Sequence, residues 1–173
     1  MPHQLVHRFC DIDFDKLADA GIRKVCLDID NTLLAQTAEI LEPAVVQHLR
    51  DARARGAISD LCIISNVIWA RGKRRVRLHR LAYELDISLV YGASFWTRKP
   101  SSAAFEWALA SMKAKPEETA MVGDQVFADV LGGNRVGLHT ILVEPMASDH
   151  WTTTLLGRRL RESRLLRYYT LRP

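Results

Sequence analysis

Lys24-Val25-Cys26-Leu27-Asp28-Ile29-Asp30-Asn31-Thr32-Leu33 places two carboxylates at the end of a short apolar run. The run from Lys24 to Ile29 follows Gly21 and is rich in β-branched and readily buried side chains, the composition of a central strand covered on both faces. Working outward, a second such run spans Ile58 to Ile64 after Gly56. Between the two, Glu42 to Arg55 carries a proline near its start and Val45, Val46 and Leu49 at helical spacing. The strand, helix, strand unit then repeats. A basic helical stretch runs from about Trp69 to Leu85, followed by a strand from Ile87 to Tyr91 and a helix from about Ser101 to Met112. A strand from Thr119 to Val122, a helix from Val126 to Arg135 and a strand from His139 to Val143 before Pro145 complete the pattern. Such alternation predicts an α/β domain, a Rossmann-like doubly wound parallel sheet whose right-handed crossovers put helices on both faces.

The 173 residues suffice for one such domain and fall short of two, so residues 1–150 are expected to form the domain and 151–173 a basic C-terminal tail. With 48% apolar and 25% charged residues and no internal repeat, the chain belongs with folded rather than disordered proteins. No stretch approaches the roughly 20 uncharged apolar residues that cross a bilayer, and the N-terminus lacks a cationic segment followed by an apolar run. A cytoplasmic location is the expectation. The three cysteines, Cys10, Cys26 and Cys62, have no spacing that suggests zinc or a disulfide framework, and Cys26 and Cys62 read as buried spectators. The net charge of +4 conceals an asymmetry: the six basic residues from Arg71 to Arg80 face no acid in that span, and the tail sets six arginines against Glu162. The remainder is net negative. Two basic patches on an acidic body point to an anionic substrate or surface.

Parallel sheets bind ligands beyond the carboxyl ends of their strands, and four of the five predicted strands lead there to a polar residue with work to do. Asp28 and Asp30 lie two apart, on one side of an extended chain. An ionised Asp28 is a competent nucleophile toward phosphorus, and Asp30 would protonate the leaving oxygen and then activate water. Two carboxylates facing a phosphate dianion repel it, so the pattern calls for a divalent cation, and oxygen-only ligands select Mg2+. Asp124, after Gly123, is the expected further ligand, with Asp129 as a supporting carboxylate behind it. Ser65 and Lys99 complete an oxyanion cradle of one hydroxyl donor and one point charge. Asp11-Ile12-Asp13 repeats the same spacing, but it follows no strong apolar run and has no threonine two residues later.

Taken in order, Asp28-Ile29-Asp30-Asn31-Thr32-Leu33, Ser65-Asn66, Lys99-Pro100 and Gly123-Asp124-Gln125 with Asp129 resemble the four motifs of the haloacid dehalogenase (HAD) superfamily of phosphotransferases. The resemblance covers roughly Lys24 to Val143. It implies that Asp28 is nucleophile and metal ligand, that Asp30 is the acid/base whose backbone carbonyl also meets Mg2+, and that Asp124 is the remaining protein ligand. Thr32, with Asn31 and Asn66, would shape the phosphate-binding loop. The intervals Leu34 to Ile58 and Val67 to Arg98 are too short for a large cap domain. The chain therefore resembles the cap-poor IIIA branch and, more narrowly, the YqeG-type bacterial phosphatases, which are themselves similar to mitochondrial phosphatidylglycerophosphate phosphatases. An uncapped site suits a large or interfacial phosphate monoester, or a homo-oligomer in which a neighbouring subunit supplies the lid.

The basic helix, with Val76, Leu78 and Leu81 facing the core, is expected to dock anionic surfaces near the site. The tail, which interleaves leucines and tyrosines with arginines, is expected to cover part of the domain, to meet a partner subunit or to rest on an acidic membrane leaflet. No aromatic platform or recognised motif supports nucleic acid as a partner, although small-metabolite and polynucleotide-end phosphates remain alternative substrates. A phospho-accepting receiver domain would place its acceptor aspartate on the third strand, which here ends without an acid. A non-catalytic interaction domain would not need the full catalytic set.

Overall fold

The computed structural model describes residues 1–36, 38–66, 72–94 and 96–146. Six parallel strands, β1 (Gln4–Val6), β2 (Lys24–Leu27), β3 (Asp60–Asn66), β4 (Leu89–Ala93), β5 (Thr119–Gly123) and β6 (His139–Val143), form one sheet in the order β1-β6-β5-β2-β3-β4. The helices are α1 (Phe14–Asp19), α2 (Pro43–Ala54), α3 (Lys73–Glu84), α4 (Ser102–Ser111) and α5 (Leu131–Arg135), the last entered through a π-helical turn at Val126–Val130. The chain moves outward from β2 through β3 to β4, then returns to the other side of β2 with β5. β2 and β5 therefore flank the point where the winding reverses, the place at which such sheets open a crevice for ligands.

Period-two alternation sorts the strand side chains between two cores. Val25, Leu27, Leu61, Ile63, Ala120 and Val122 pack on one face with residues of α1, α2 and α3. Cys26, Cys62, Ile64 and Met121 pack on the other with Ala104, Phe105 and Ala108 of α4. Cys26 and Cys62 are register partners, both fully buried and free, as spectators would be.

The five α-helices among the described residues end alike. The residue after each cap has a positive φ (Gly21, Gly56, Asp86, Lys113 and Gly137), and the next residue returns its N–H to a carbonyl five positions back, as in Ala57 to Ala52 at 2.9 Å and Ile87 to Ala82 at 2.8 Å. These closures explain two shifted boundaries. Ile58 and Ile87 read as strand starts, yet they belong to helix endings, and the strands begin at Asp60 and Leu89.

Val76 corrects the expected inward face of α3. It is 68% exposed, while Leu78, Leu81 and Ala82 are buried. Two residues before Leu78 is about 200° around a helix, on the solvent side. β1 and α1 left no clear signal: β1 has three partly exposed residues at the sheet edge, and α1 has six residues. The second Asp-x-Asp is spent on α1 and the turn before it, where Asp13 accepts the Lys16 N–H at 2.9 Å and Asp11 accepts that of Arg8 at 2.8 Å. Trp69, where the basic helix was expected to begin, and the tail 151–173 lie outside the described residues. No lid domain occurs among those described, and none of their helices is long and apolar enough to cross a membrane.

Candidate active site

Asp28 continues beyond β2, its N–H donating to Val122 of β5 at 2.9 Å, and it is 5% exposed. Lys99, which follows β4, reaches it from across the sheet edge. Its ammonium donates to Asp28 Oδ1 at 2.7 Å and to the Ile64 carbonyl at 2.8 Å, and it lies 2.6 Å from Asp129 Oδ1 as an ion pair. Asn66, at the end of β3, positions the lysine backbone. Its Oδ1 accepts the Lys99 N–H at 2.9 Å, and its Nδ2 donates to the Lys99 carbonyl at 3.3 Å. Asp129 comes from the π-helical turn after β5, and its Oδ2 accepts the Gln125 N–H at 3.0 Å. Asp28, Asp124 and Asp129 are all buried, and each offers an oxygen within 4.8 Å of the others.

Two of the three buried carboxylates, Asp28 and Asp129, share the Lys99 ammonium. Burial pushes the Asp28 carboxyl well above the usual carboxylate range; Lys99 opposes the rise, and Asp129 and Asp124 add to it. Burial would lower Lys99, but the carboxylates of Asp129 and Asp28 outweigh it and hold the amine protonated. The lysine is the fixed charge. The three acids form an all-oxygen donor set that fits a hard divalent ion.

The loop after Asp28 is tightly wound. Asn31 has φ of 62°, a conformation that asparagine tolerates better than most residues, and its N–H donates to Leu34 at 2.8 Å. Its Oδ1 accepts the Gln36 N–H at 3.2 Å. Thr32 is fully buried, and its hydroxyl has no hydrogen-bond partner among the described residues.

Across its length the chain is similar to a Bacillus subtilis (strain 168) protein named "Probable phosphatase YqeG", at 34% identity over 166 residues, 96% of this chain and 89% of that one. The chain belongs to the haloacid dehalogenase-like phosphatases, and within them to the YqeG type. The HAD-hydrolase-like family profile matches residues 96–149. Phosphatidylglycerophosphate phosphatase 1, chloroplastic/mitochondrial, of Arabidopsis thaliana is 28% identical over 147 residues, 85% of this chain and 41% of its own length. A solved structure of an uncharacterised protein from Listeria monocytogenes serotype 4b shares the fold, with a TM-score of 0.57 at 19% identity, covering 75% of this chain and 84% of that one.

Within this YqeG-type phosphatase, Asp28, Lys99, Asp124 and Asp129 meet at one point. Ser65 and Asp30 stand beside them in the wall of a cavity of about 160 Å3, together with Asn66, Arg74 and Arg77. β2 stops at Leu27, and Asp30 lies beyond its end. The Asp30 carboxylate is outside the acid cluster and is instead bonded to Arg77 Nη1 at 2.8 Å. Two residues at the site were given no role in the sequence reading. Arg77 was hidden among the other bases of α3. Gly123 is needed for space: a Cβ there would stand 2.2 Å from the Asp129 carboxyl carbon. A glycine directly before a strand-end aspartate, with a second carboxylate five residues further on, was its trace in the sequence.

Proposed function

We propose that this phosphatase is a Mg2+-dependent phosphomonoester hydrolase working through an aspartyl-phosphate on Asp28, on a large or interfacial substrate of the phosphatidylglycerophosphate kind. The observation that carries this reading is the buried Asp28 carboxylate, paired with Lys99 and grouped with Asp124 and Asp129 at the reversal of the sheet. Asp28 attacks phosphorus, the bond to the ester oxygen breaks, and Asp30 gives that oxygen its proton. Asp30 then takes a proton from water as the water attacks phosphorus, the bond to Asp28 breaks, and inorganic phosphate leaves. Lys99 remains protonated beside the reacting oxygen and offsets charge on the phosphoryl group, while Ser65 supplies a hydroxyl donor. Asp28 and Asp124, with the Asp30 carbonyl, would hold the metal, with Asp129 behind them. When bound, the ion neutralises the repulsion between acids and phosphate.

The substrate class draws on the Arabidopsis relative's name, on the absence of a lid among the described residues and on Arg74 of α3 in the cavity wall. The experiment is a panel of phosphate monoesters, including phosphatidylglycerophosphate, sugar phosphates, nucleotides and polynucleotide ends, assayed with Mg2+ and with chelator on wild type and Asp28→Asn. Preference for the lipid, dependence on Mg2+ and loss of turnover by at least about 10^3-fold in Asp28→Asn are expected. Turnover that survives Asp28→Asn would overturn the nucleophile, and a soluble sugar phosphate as best substrate would overturn the lipid.

A further inference from the structure

Arg77 makes contacts that phosphoryl transfer as derived above does not use. Lys73, Arg74, Arg75 and Arg80 on the same helix are exposed, whereas the Arg77 side chain is 14% exposed. Its Nη1 donates to Asp30 Oδ1 at 2.8 Å, and its Nε and Nη2 both donate to the Ala38 carbonyl, at 3.0 and 2.8 Å. One planar guanidinium therefore bridges the Asp30 carboxylate to the connection that leads into α2. This two-sided grip needs a rigid fork of donors, which lysine does not offer. Glu39 Oε1 stands 4.0 Å from Nε, and Arg80 holds the Glu39 carboxylate at 2.5 Å, so Asp30 receives the nearest face of Arg77.

We propose that Arg77 is a positioning residue for ester cleavage: it fixes the Asp30 carboxylate in the cavity wall that also holds Ser65 and Asn66. The inference rests on the acid/base reading of Asp30 given above. Proton transfer needs the donor within about 2.6–3.2 Å of the leaving oxygen. Asp30 is on a loop, with its side chain 37% exposed, so without a tether it would visit that geometry only part of the time.

The test compares Arg77→Gln, Arg77→Lys and Arg80→Gln in the full chain. Arg80 ties the same connection, through the Glu39 carbonyl and carboxylate, without touching Asp30. kcat/KM is measured with an alkyl phosphate, whose leaving group needs a proton, and with p-nitrophenyl phosphate, whose leaving group hardly does. Arg77→Gln should lose about 10-fold or more on the alkyl ester, a part of the 10^2–10^4 that such catalysis contributes, and much less on the nitrophenyl ester. Arg77→Lys should recover part of the difference, and Arg80→Gln should show none. Equal losses on both esters, or the same discrimination in Arg80→Gln, would overturn the proposal. Crystal structures of the variants give a readout independent of turnover: the Asp30 carboxylate should leave its place in Arg77→Gln and keep it in Arg80→Gln. An unmoved Asp30 in Arg77→Gln refutes the positioning role even if wild type hydrolyses no ester, the result that would sink the acid/base reading instead. Should Arg77→Gln not fold, Arg77→Lys carries both measurements, with a smaller discrimination expected and none refuting the role.

Discussion

Lys99 spends its ammonium on Asp28, Asp129 and the Ile64 carbonyl in a place that water scarcely reaches, with its side chain 2% exposed. Lys99→Met keeps most of the bulk but removes the ammonium that pairs with both Asp28 and Asp129, so two carboxylates lose that partner at once. Breaking a buried pair from one side costs about 3–5 kcal/mol, which urea unfolding in the presence of a chelator would measure. Part of that loss should return on adding Mg2+, because an ion that binds only the folded acids stabilises the folded state. Unchanged stability would mean that Lys99 is not paired as described. Gly123 offers a cleaner perturbation, since it carries no chemistry. In Gly123→Ala the new methyl meets the Asp129 carboxyl carbon at 2.2 Å and must displace it. A loss of about 1–3 kcal/mol in stability is expected, and activity should fall further than stability because Asp129 also holds Lys99. Full activity in Gly123→Ala would show that the Asp129 position is not needed.

At the scale of elements, the short edge strand β1 is held to β6 partly by histidines. His3 and His139 stack with ring centroids 4.7 Å apart, and His3 Nδ1 accepts the Thr140 N–H at 3.0 Å. Burial, assisted by His3, lowers the His139 pKa below its usual value. The folded state therefore takes up its proton later than the unfolded chain, which titrates near about 6.5. Between the unfolded and folded pKa values the unfolded chain binds more protons, so the contribution of His139 is present above about pH 6.5 and is lost as pH falls through the folded value. Melting temperature should drop between pH 7.5 and 5.5, and His139→Gln should flatten that dependence; an unaltered slope in the variant would exclude His139 as the cause. The same edge shows why some elements could not be read in advance. A strand of three partly exposed residues has too few positions for an alternating pattern, and its pairing with β6 joins residues 137 positions apart.

For the whole molecule, the basic end of α3 stands at the rim of the site, with Arg74 in the cavity wall and Arg75 exposed beside it. Each basic residue near an acidic leaflet contributes about 1 kcal/mol of attraction. Reversing Arg74 and Arg75 to Glu should therefore weaken action on phosphate esters in anionic vesicles by at least about 10-fold more than action on a small chromogenic ester; equal losses would exclude a docking surface. The alternating strands and helices were legible because a buried parallel strand needs an unbroken apolar run and a surface helix needs an apolar stripe, and both are local patterns. The strand-end positions of Asp28, Ser65 and Asp124 followed from that alternation. Helix closures shifted the boundaries at Ile58 and Ile87, since a residue that ends a helix against the core is as apolar as one that begins a strand. Other features depended on the chain being folded. That Asp129 stands in the acid cluster, that Asp30 turns to Arg77, and that Gly123 makes room for a carboxyl group are relations between segments far apart or wound unpredictably, set by which side chains meet across a sheet edge. Sequence by itself determined the order of elements and the chemical types at their ends. Tertiary structure decided which of those groups share one charge, because ion pairing in a dry interior depends on distances of a few ångströms that no local pattern specifies.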